Sequence, residues 1–331
     1  MKSDGFPALL EAFFTERLMR QRQASPHTIA SYRDTFSLFL SFVRQRLKKS
    51  PTTLTLQDID APLVGVFLDH IEKERKNTAR SRNLRLAAIH SFFRFAVFYQ
   101  PQHSASIQRI LAIPSKRFSR KPIEFLTASE IDALLASPDQ TTWIGRRDRT
   151  LLLLALQTGL RVSEIITLRR QDVVLGSGAH LRCRGKGRKE RCTPLRKDVA
   201  AALRQWLRER AGEAADACFP NGRGGPLSRD AIEYLLNKYA TAAARRCPTL
   251  RRKRIAPHVL RHTAAMDLLH HGVDRSVIAL WLGHESVETT QLYLHADLRL
   301  KEKALAKTVP TNGRLARYRP DDRLLAFLKS L

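Results

Sequence analysis

The residue pattern implies a mainly α-helical chain with one small antiparallel β-sheet, divided into two domains. Three observations carry this. Apolar residues recur at helical spacing over most of the 331 residues. The period shifts from 3.6 to 2 only around the glycine-bearing stretch Gly185-Lys186-Gly187. A basic, proline-interrupted segment then separates two regions that each hold enough apolar material for a core, the hydrophobic fraction being 43%.

The first region reads as four helices. Leu9, Leu10, Phe13, Phe14 and Leu18 recur at helical spacing between Phe6 and about Arg22. Ser25-Pro26 is an N-cap followed by proline at the first helical position, and Ile29, Tyr32, Phe36, Phe39 and Val43 then share one face. A third helix is expected from near Asp58, with Val64, Phe67, Leu68 and Ile71 inward. A fourth runs from about Thr78 to Tyr99, with Leu86, Ile89, Phe92, Phe93 and Ala96 inward and Arg80, Arg82, Arg85 and Arg94 as its cations. Short connections make this a compact bundle over residues 1–100. Residues 101–125 carry Pro101, Pro114 and Pro122 among Lys116, Arg117, Arg120 and Lys121, and read as a basic interdomain linker.

Thr127-Ala128-Ser129-Glu130 is a capping box that opens the second domain, 126–308. A buried helix over Asp148–Gln157 stops at Thr158-Gly159, and helical spacing resumes from Val162 to Leu168. His180–Arg184 and Arg191–Leu195 alternate as two strands of a hairpin. Helices return over Asp198–Arg210, Ser228–Arg245, His258–His271, Arg275–Leu282 and Ser286 to about Ala306. Beyond residue 308, Leu324, Leu325 and Leu328 suggest a docking helix at 309–331, buried against its own or an adjacent protomer.

Charge narrows the partners. With 58 Lys+Arg against 31 Asp+Glu the net charge is +27. Residues 1–125 hold 21 basic and 10 acidic residues, a net of +11, leaving +16 for the remainder. An excess of this size on both halves calls for a polyanion, and nucleic acid is the commonest. The longest apolar run, Leu151–Leu156, is far shorter than a bilayer span, and Met1-Lys2-Ser3-Asp4 opens no signal peptide. A cytoplasmic protein without membrane partners is expected. The four cysteines, Cys183, Cys192, Cys218 and Cys247, show no C-x-x-C pair; Cys183 and Cys192 could face each other across the hairpin, but a reducing compartment argues against a disulfide.

Five features of the second domain stand in order: Thr158-Gly159-Leu160-Arg161-Val162-Ser163-Glu164, Lys186, His258-Val259-Leu260-Arg261-His262, Leu282-Gly283-His284, and Tyr293. Singly, each reads as ordinary structure. Arg161 would be a helix-end cation and Tyr293, between Leu292 and Leu294, a core aromatic. His258 and His262 have zinc spacing, but Arg261 falls within the ligand face and no acidic base intervenes. Together they suit phosphodiester chemistry. Two guanidiniums, Arg161 and Arg261, can neutralise the non-bridging oxygens as charge develops, with a fork geometry that lysine lacks. Tyr293 can attack in line to leave a phosphotyrosyl bond. Its hydroxyl, with an ordinary pKa of about 10, needs a base or cations nearby.

In this ordered set the chain resembles the tyrosine recombinases of the phage-integrase and Xer superfamily, over about Leu126 to Ala306 by motif and over the helical first domain in kind. The resemblance implies a helical core-binding domain of SAM-like type plus an α+β catalytic domain, together forming a DNA clamp. It implies site-specific recombination through a covalent 3′-phosphotyrosyl intermediate, in integration, excision or resolution. Catalytic positions would be Arg161, Lys186, His258, Arg261, His284 and the nucleophile Tyr293. His258 would act as base or phosphate donor, His284 as a phosphate donor, and Lys186 would protonate the 5′-hydroxyl. Glu164, three residues after Arg161 on the same helical face, would orient a catalytic cation. Arg80, Arg82, Arg85, Lys116, Arg117, Arg120, Lys121, Arg188 and Lys189 are the DNA-binding candidates.

No metal or cofactor is required. Partners would be double-stranded core sites and a homo- or hetero-tetramer on synapsed DNA, with a partner recombinase in the latter case. Lys189 competes with Lys186 for the lysine role; the glycine-flanked setting favours Lys186. The ending after Tyr293 looks more like transposon- or plasmid-borne recombinases than chromosome-dimer resolution enzymes, and a first helix starting almost at the N-terminus suggests that no separate arm-type domain precedes it. Two rival readings are a type IB topoisomerase, disfavoured by the hairpin and ending, and a decayed DNA-binding regulator, disfavoured because no catalytic residue is lost.

Overall fold

The computed structural model of the protein describes residues 5–119, 123–185, 190–209, 212–213 and 215–283. The chain divides into two compact units, the division falling after Arg120.

In the first unit, α1 (Phe6–Ala12) passes into a π-helical segment, Phe13–Gln21, whose end is marked by the Arg22 N–H donating to the Arg17 carbonyl. The wider turn sets Phe13 and Phe14 both against Phe36, at 6.3 and 6.1 Å between ring centroids. Helix α2 (Pro26–Leu47) starts at Ser25, whose hydroxyl accepts the Thr28 N–H. Phe36, Phe39 and Val43 are buried, with Ile29 and Tyr32 packed at the edge of the same core. Helix α3 (Ala61–Lys73) begins three residues later than expected. Asp58 closes a short 3₁₀ turn instead, and Asp60 is the cap, accepting from the Leu63 N–H. Helix α4 (Ala79–Tyr99), capped by Thr78, buries Leu86, Ile89, Phe92, Phe93 and Ala96.

The stretch expected to begin the linker folds differently. Ser104–Leu111 forms α5, and Ile107 and Ile110 sit fully buried in the first unit's core. Two isoleucines at i, i+3 are a weak signal among prolines, but they suffice to close the bundle once α4 supplies the opposing face.

The second unit has α6 (Ala128–Leu135), α7 (Trp143–Thr158) and α8 (Val162–Thr167). Then come strands β1 (Val173–Val174), β2 (His180–Arg184) and β3 (Glu190–Pro194), followed by α9 (Lys197–Glu209), α10 (Arg229–Ala243), α11 (Pro257–His270) and α12 (Arg275–Leu282). The expected capping box forms at Thr127 and Glu130. Helix α7 starts at Trp143, earlier than expected, because Thr142 caps it and the Gly145 N–H donates to that hydroxyl. The three strands form one antiparallel sheet in the order β1-β2-β3. The two-residue β1 was not anticipated; it is too short to display a period.

Register decides the cysteine question. Cys183 pairs with Arg191, and Arg182 with Cys192, so the two thiols occupy opposite faces of the sheet. Cys183 is buried beside Leu181 and Thr193, Cys192 is exposed, and both are free thiols. Among the described residues no helix is long and apolar enough to cross a membrane. The segment Ser286–Ala306 and the tail 309–331 lie outside the described residues.

Candidate active site

Helix α7 ends where the chain has no alternative. Gly159 takes the left-handed conformation at φ +63°, and its N–H closes the last turn on the Ala155 carbonyl. A Cβ at this position would lie 2.5 Å from Cδ2 of Leu282 and 3.2 Å from Cβ of Ala264. The backbone of Gly159 is therefore pressed against α11 and α12. Leu160 buries behind it, and Arg161 emerges as the residue that starts α8.

Arg161 and Arg261 meet at this junction although 100 residues separate them in sequence. Arg261, on α11, donates to the Gly159 carbonyl and to the Leu282 carbonyl, each at 2.7 Å. Arg161 donates to the next carbonyl, that of Gly283, at 2.7 Å. Carbonyls at the end of a helix lack intrahelical partners and carry the negative end of its dipole, so guanidiniums satisfy them in both respects. Gly283 is itself left-handed, at φ +64°, and ends α12 immediately before His284.

Glu164 lies beneath Arg161 and is buried. Its carboxylate accepts the Arg161 backbone N–H at 2.8 Å and the Arg161 guanidinium at 3.0 Å. The resemblance assigns Glu164 to orienting one cation; in the structure it holds two. Arg191 on β3 donates to both oxygens at 2.9 Å and, through Nε, to the Trp281 carbonyl at 3.1 Å. Burial raises the Glu164 pKa, but the hydrogen bonds from Arg191 and the Arg161 N–H, with both positive charges, outweigh it and hold the carboxyl below its ordinary range. Burial opposes the charge on Arg191 as well, and Glu164 more than restores it.

Arg191 is the residue that sequence reasoning missed. The available signal was strand alternation. Arg191 shares the inward face with Thr193, and a charged side chain at an inward position requires a buried partner.

His258 stands at the start of α11 and is exposed, whereas His262, one turn on, is half-buried, the rings lying 5.7 Å apart. Burial, then the neighbouring His258 and Arg261, push the His262 pKa down to about 4, so it is neutral at physiological pH. Among the described residues no group of three or more His, Cys, Asp or Glu side chains is placed to hold a metal ion. His270 is half-buried, its ring 6.1 Å from that of Phe125 in an edge-to-face arrangement.

The DNA-binding candidates divide. Arg80 and Arg117 are exposed. Arg82 is a correction: it is buried, with its guanidinium 3.7 Å from Glu72 and donating to the Pro114 carbonyl at 3.1 Å. Its position on α4 turns it towards α3 and the chain after α5. Arg85 is half-buried and bridges to the Thr35 hydroxyl on α2 at 2.9 Å. Lys116 is exposed yet paired with Glu72 at 2.5 Å, and Asn83 fixes its backbone at both N–H and carbonyl. Lys186, Arg188, Lys189, Arg120, Lys121, His284 and Tyr293 lie outside the described residues.

The phage integrase family profile matches residues 124–299, and the family's N-terminal SAM-like domain profile matches residues 12–99. The "Putative integrase/recombinase y4rC" of Sinorhizobium fredii is 60% identical over 323 residues, covering 98% of this chain and 97% of that protein. Tyrosine recombinase XerC of Oceanobacillus iheyensis is 31% identical over 308 residues, covering 91% of this chain and 96% of the relative. The crystal structure of XerH site-specific recombinase bound to difH substrate, in a pre-cleavage complex, shares the fold at a TM-score of 0.64 and 23% identity, over 89% of this chain and 83% of that one. A lambda integrase dimer bound to a COC′ core site does so at 0.62 and 19%, over 89% and 96%. The chain belongs to the phage integrase family. It is a tyrosine-type site-specific recombinase, an enzyme that works through a covalent intermediate.

Proposed function

We propose that the protein binds double-stranded core sites and exchanges strands with Arg161, Lys186, His258, Arg261, His284 and Tyr293 as its catalytic set. The observation that carries this reading is the convergence of Arg161 and Arg261 on adjacent carbonyls, Gly283 and Leu282, next to His284. Two guanidiniums so fixed suit the scissile phosphate, whose equatorial oxygens gain charge as it is attacked. The Tyr293 hydroxyl oxygen attacks phosphorus and passes its proton to His258. The bond to the 5′ oxygen breaks, and Lys186 protonates the leaving 5′-hydroxyl. His284 donates to a non-bridging oxygen. In the second half, a 5′-hydroxyl from the partner duplex attacks the phosphotyrosine, releases Tyr293 and restores the phosphodiester.

In this reading the first unit is the core-binding domain, residues 126–308 form the catalytic domain, and 309–331 form a tail that docks on its own or an adjacent protomer. Two protomers occupy a core site and four a synapse, identical or shared with a second recombinase. Exposed cations such as Arg80 and Arg117 grip the backbone, with affinity that falls steeply with salt.

The test is incubation with a nicked core site, which loses the short 5′-terminated strand after cleavage and so traps the adduct. Wild-type protein forms a covalent complex stable to denaturant; Tyr293→Phe binds the same DNA and forms none. An adduct retained by Tyr293→Phe would move the nucleophile elsewhere.

A further inference from the structure

We propose that Arg191 is a positioning residue for this reaction: it ties β3 to the Arg161–Glu164 end of the site, and the step it supports is protonation of the leaving group, which the proposed function gives to Lys186. The proposal rests on the catalytic set above. Its own support is geometric. Arg191 lies on β3, five residues after Lys186, and donates to three acceptors on two other segments. Both terminal nitrogens meet Glu164 at 2.9 Å in a fork-to-fork pair, and Nε meets the Trp281 carbonyl at 3.1 Å. One side chain therefore ties the hairpin, the start of α8 and the end of α12. The same carboxylate holds Arg161, so the hairpin and the arginine site share a single anchor.

Gly283 is fitted to this clamp. A Cβ there would lie 2.9 Å from Nη1 and 3.2 Å from Cζ of Arg191, so the guanidinium rests directly on the backbone that precedes His284. The Arg191 and Glu164 side chains retain only 13% and 5% of their exposure, so water competes little for their hydrogen bonds. Lysine at 191 would keep the charge but cannot make the fork or reach Trp281 at the same time.

Arg191→Lys tests this in the full-length protein, with melting temperature, affinity for core-site DNA, and single-turnover adduct formation as readouts. Two nicked substrates are compared, one ordinary and one with sulfur in place of the bridging 5′ oxygen at the scissile phosphate. A thiolate leaves without a proton, so it does not need the lysine. The expected result is near-normal folding and DNA affinity, adduct formation slowed about 10–100-fold on the ordinary substrate, and most of that loss recovered with sulfur. Equal slowing on both substrates, or a wild-type rate on the ordinary one, overturns the proposal. Lys186→Ala is run in parallel. If sulfur rescues Arg191→Lys but leaves Lys186→Ala slow, the assignment of Lys186 fails while the clamp stands and serves another proton donor. Should Arg191→Lys not fold, Glu164→Gln weakens the same pair with the side-chain shape retained, and the same two outcomes decide.

Discussion

Gly159 and Leu282 pack so closely that a single methyl group on the glycine would come within 2.5 Å of a leucine methyl. This contact, between the end of α7 and the end of α12, sets the distance at which Arg161 and Arg261 reach neighbouring carbonyls. Alanine at 159 has to adopt a left-handed backbone and also displace Leu282. Gly159→Ala is expected to destabilise the second unit by about 2–3 kcal/mol. Thermal unfolding should show its transition lowered by about 5–10 °C, with the first unit's transition unmoved. An unchanged melting profile would refute the contact.

Arg80 and Arg82 sit two residues apart on α4 and are predicted to behave oppositely. Arg80→Gln should leave stability unaltered and weaken DNA binding, with a shallower salt dependence. Arg82→Gln strands the Pro114 carbonyl and leaves Glu72 with Lys116 as its remaining cation, and should cost about 1–3 kcal/mol of stability. Paired measurement of melting and of affinity across salt concentrations separates the two.

His262 is predicted to stay neutral well below the pH at which histidines usually titrate. Its folded pKa is about 4, below the ordinary 6.5, so between those values the unfolded chain binds a proton that the folded one refuses. Stability from this group is complete above pH 6.5 and is lost as pH falls towards 4. In a proton NMR titration the His262 ring resonance, assigned by its disappearance in His262→Asn, should not shift above pH 5. Titration near 6.5 would contradict the burial described.

The sheet register predicts thiol reactivity. Cys192 is exposed and should be alkylated first in the native protein, with half-buried Cys247 slower. Burial pushes Cys183 up to about 11 and Cys218 up to about 12, so neither presents a thiolate at neutral pH. Peptide mapping after brief alkylation should find both unmodified until the protein is unfolded. Early labelling of Cys183 would mean that the hairpin is paired one residue out of step.

Much of this architecture was legible in the residues. Ser25 and Thr127 cap helices because their side chains accept a nearby backbone N–H, a local interaction that sequence displays directly. The β2–β3 hairpin was equally plain from alternation. Helix α5 was hidden because its two buried isoleucines gain a core only once the chain has turned back onto α4 and α3. Arg82 and Arg191 were misjudged or missed for one reason: a buried cation is defined by its partner, and Glu72 and Glu164 reach them only through the tertiary fold. Glu164 could be placed near Arg161 by helical spacing, whereas its second cation arrives from a strand 27 residues on.

Arg161, Arg191 and Arg261 donate to the consecutive carbonyls of Gly283, Trp281 and Leu282 at the end of an eight-residue helix. Three like charges on so short an element would repel one another, yet Glu164 and the peptide dipoles absorb the strain within the protein itself. In the proposed function this makes the cradle preorganised: its field is aimed before any phosphate arrives, and little energy is needed to reorient it as negative charge grows during attack. On that reading helix capping and readiness for an anion are one arrangement, so a substitution that loosens the end of α12 blunts both together.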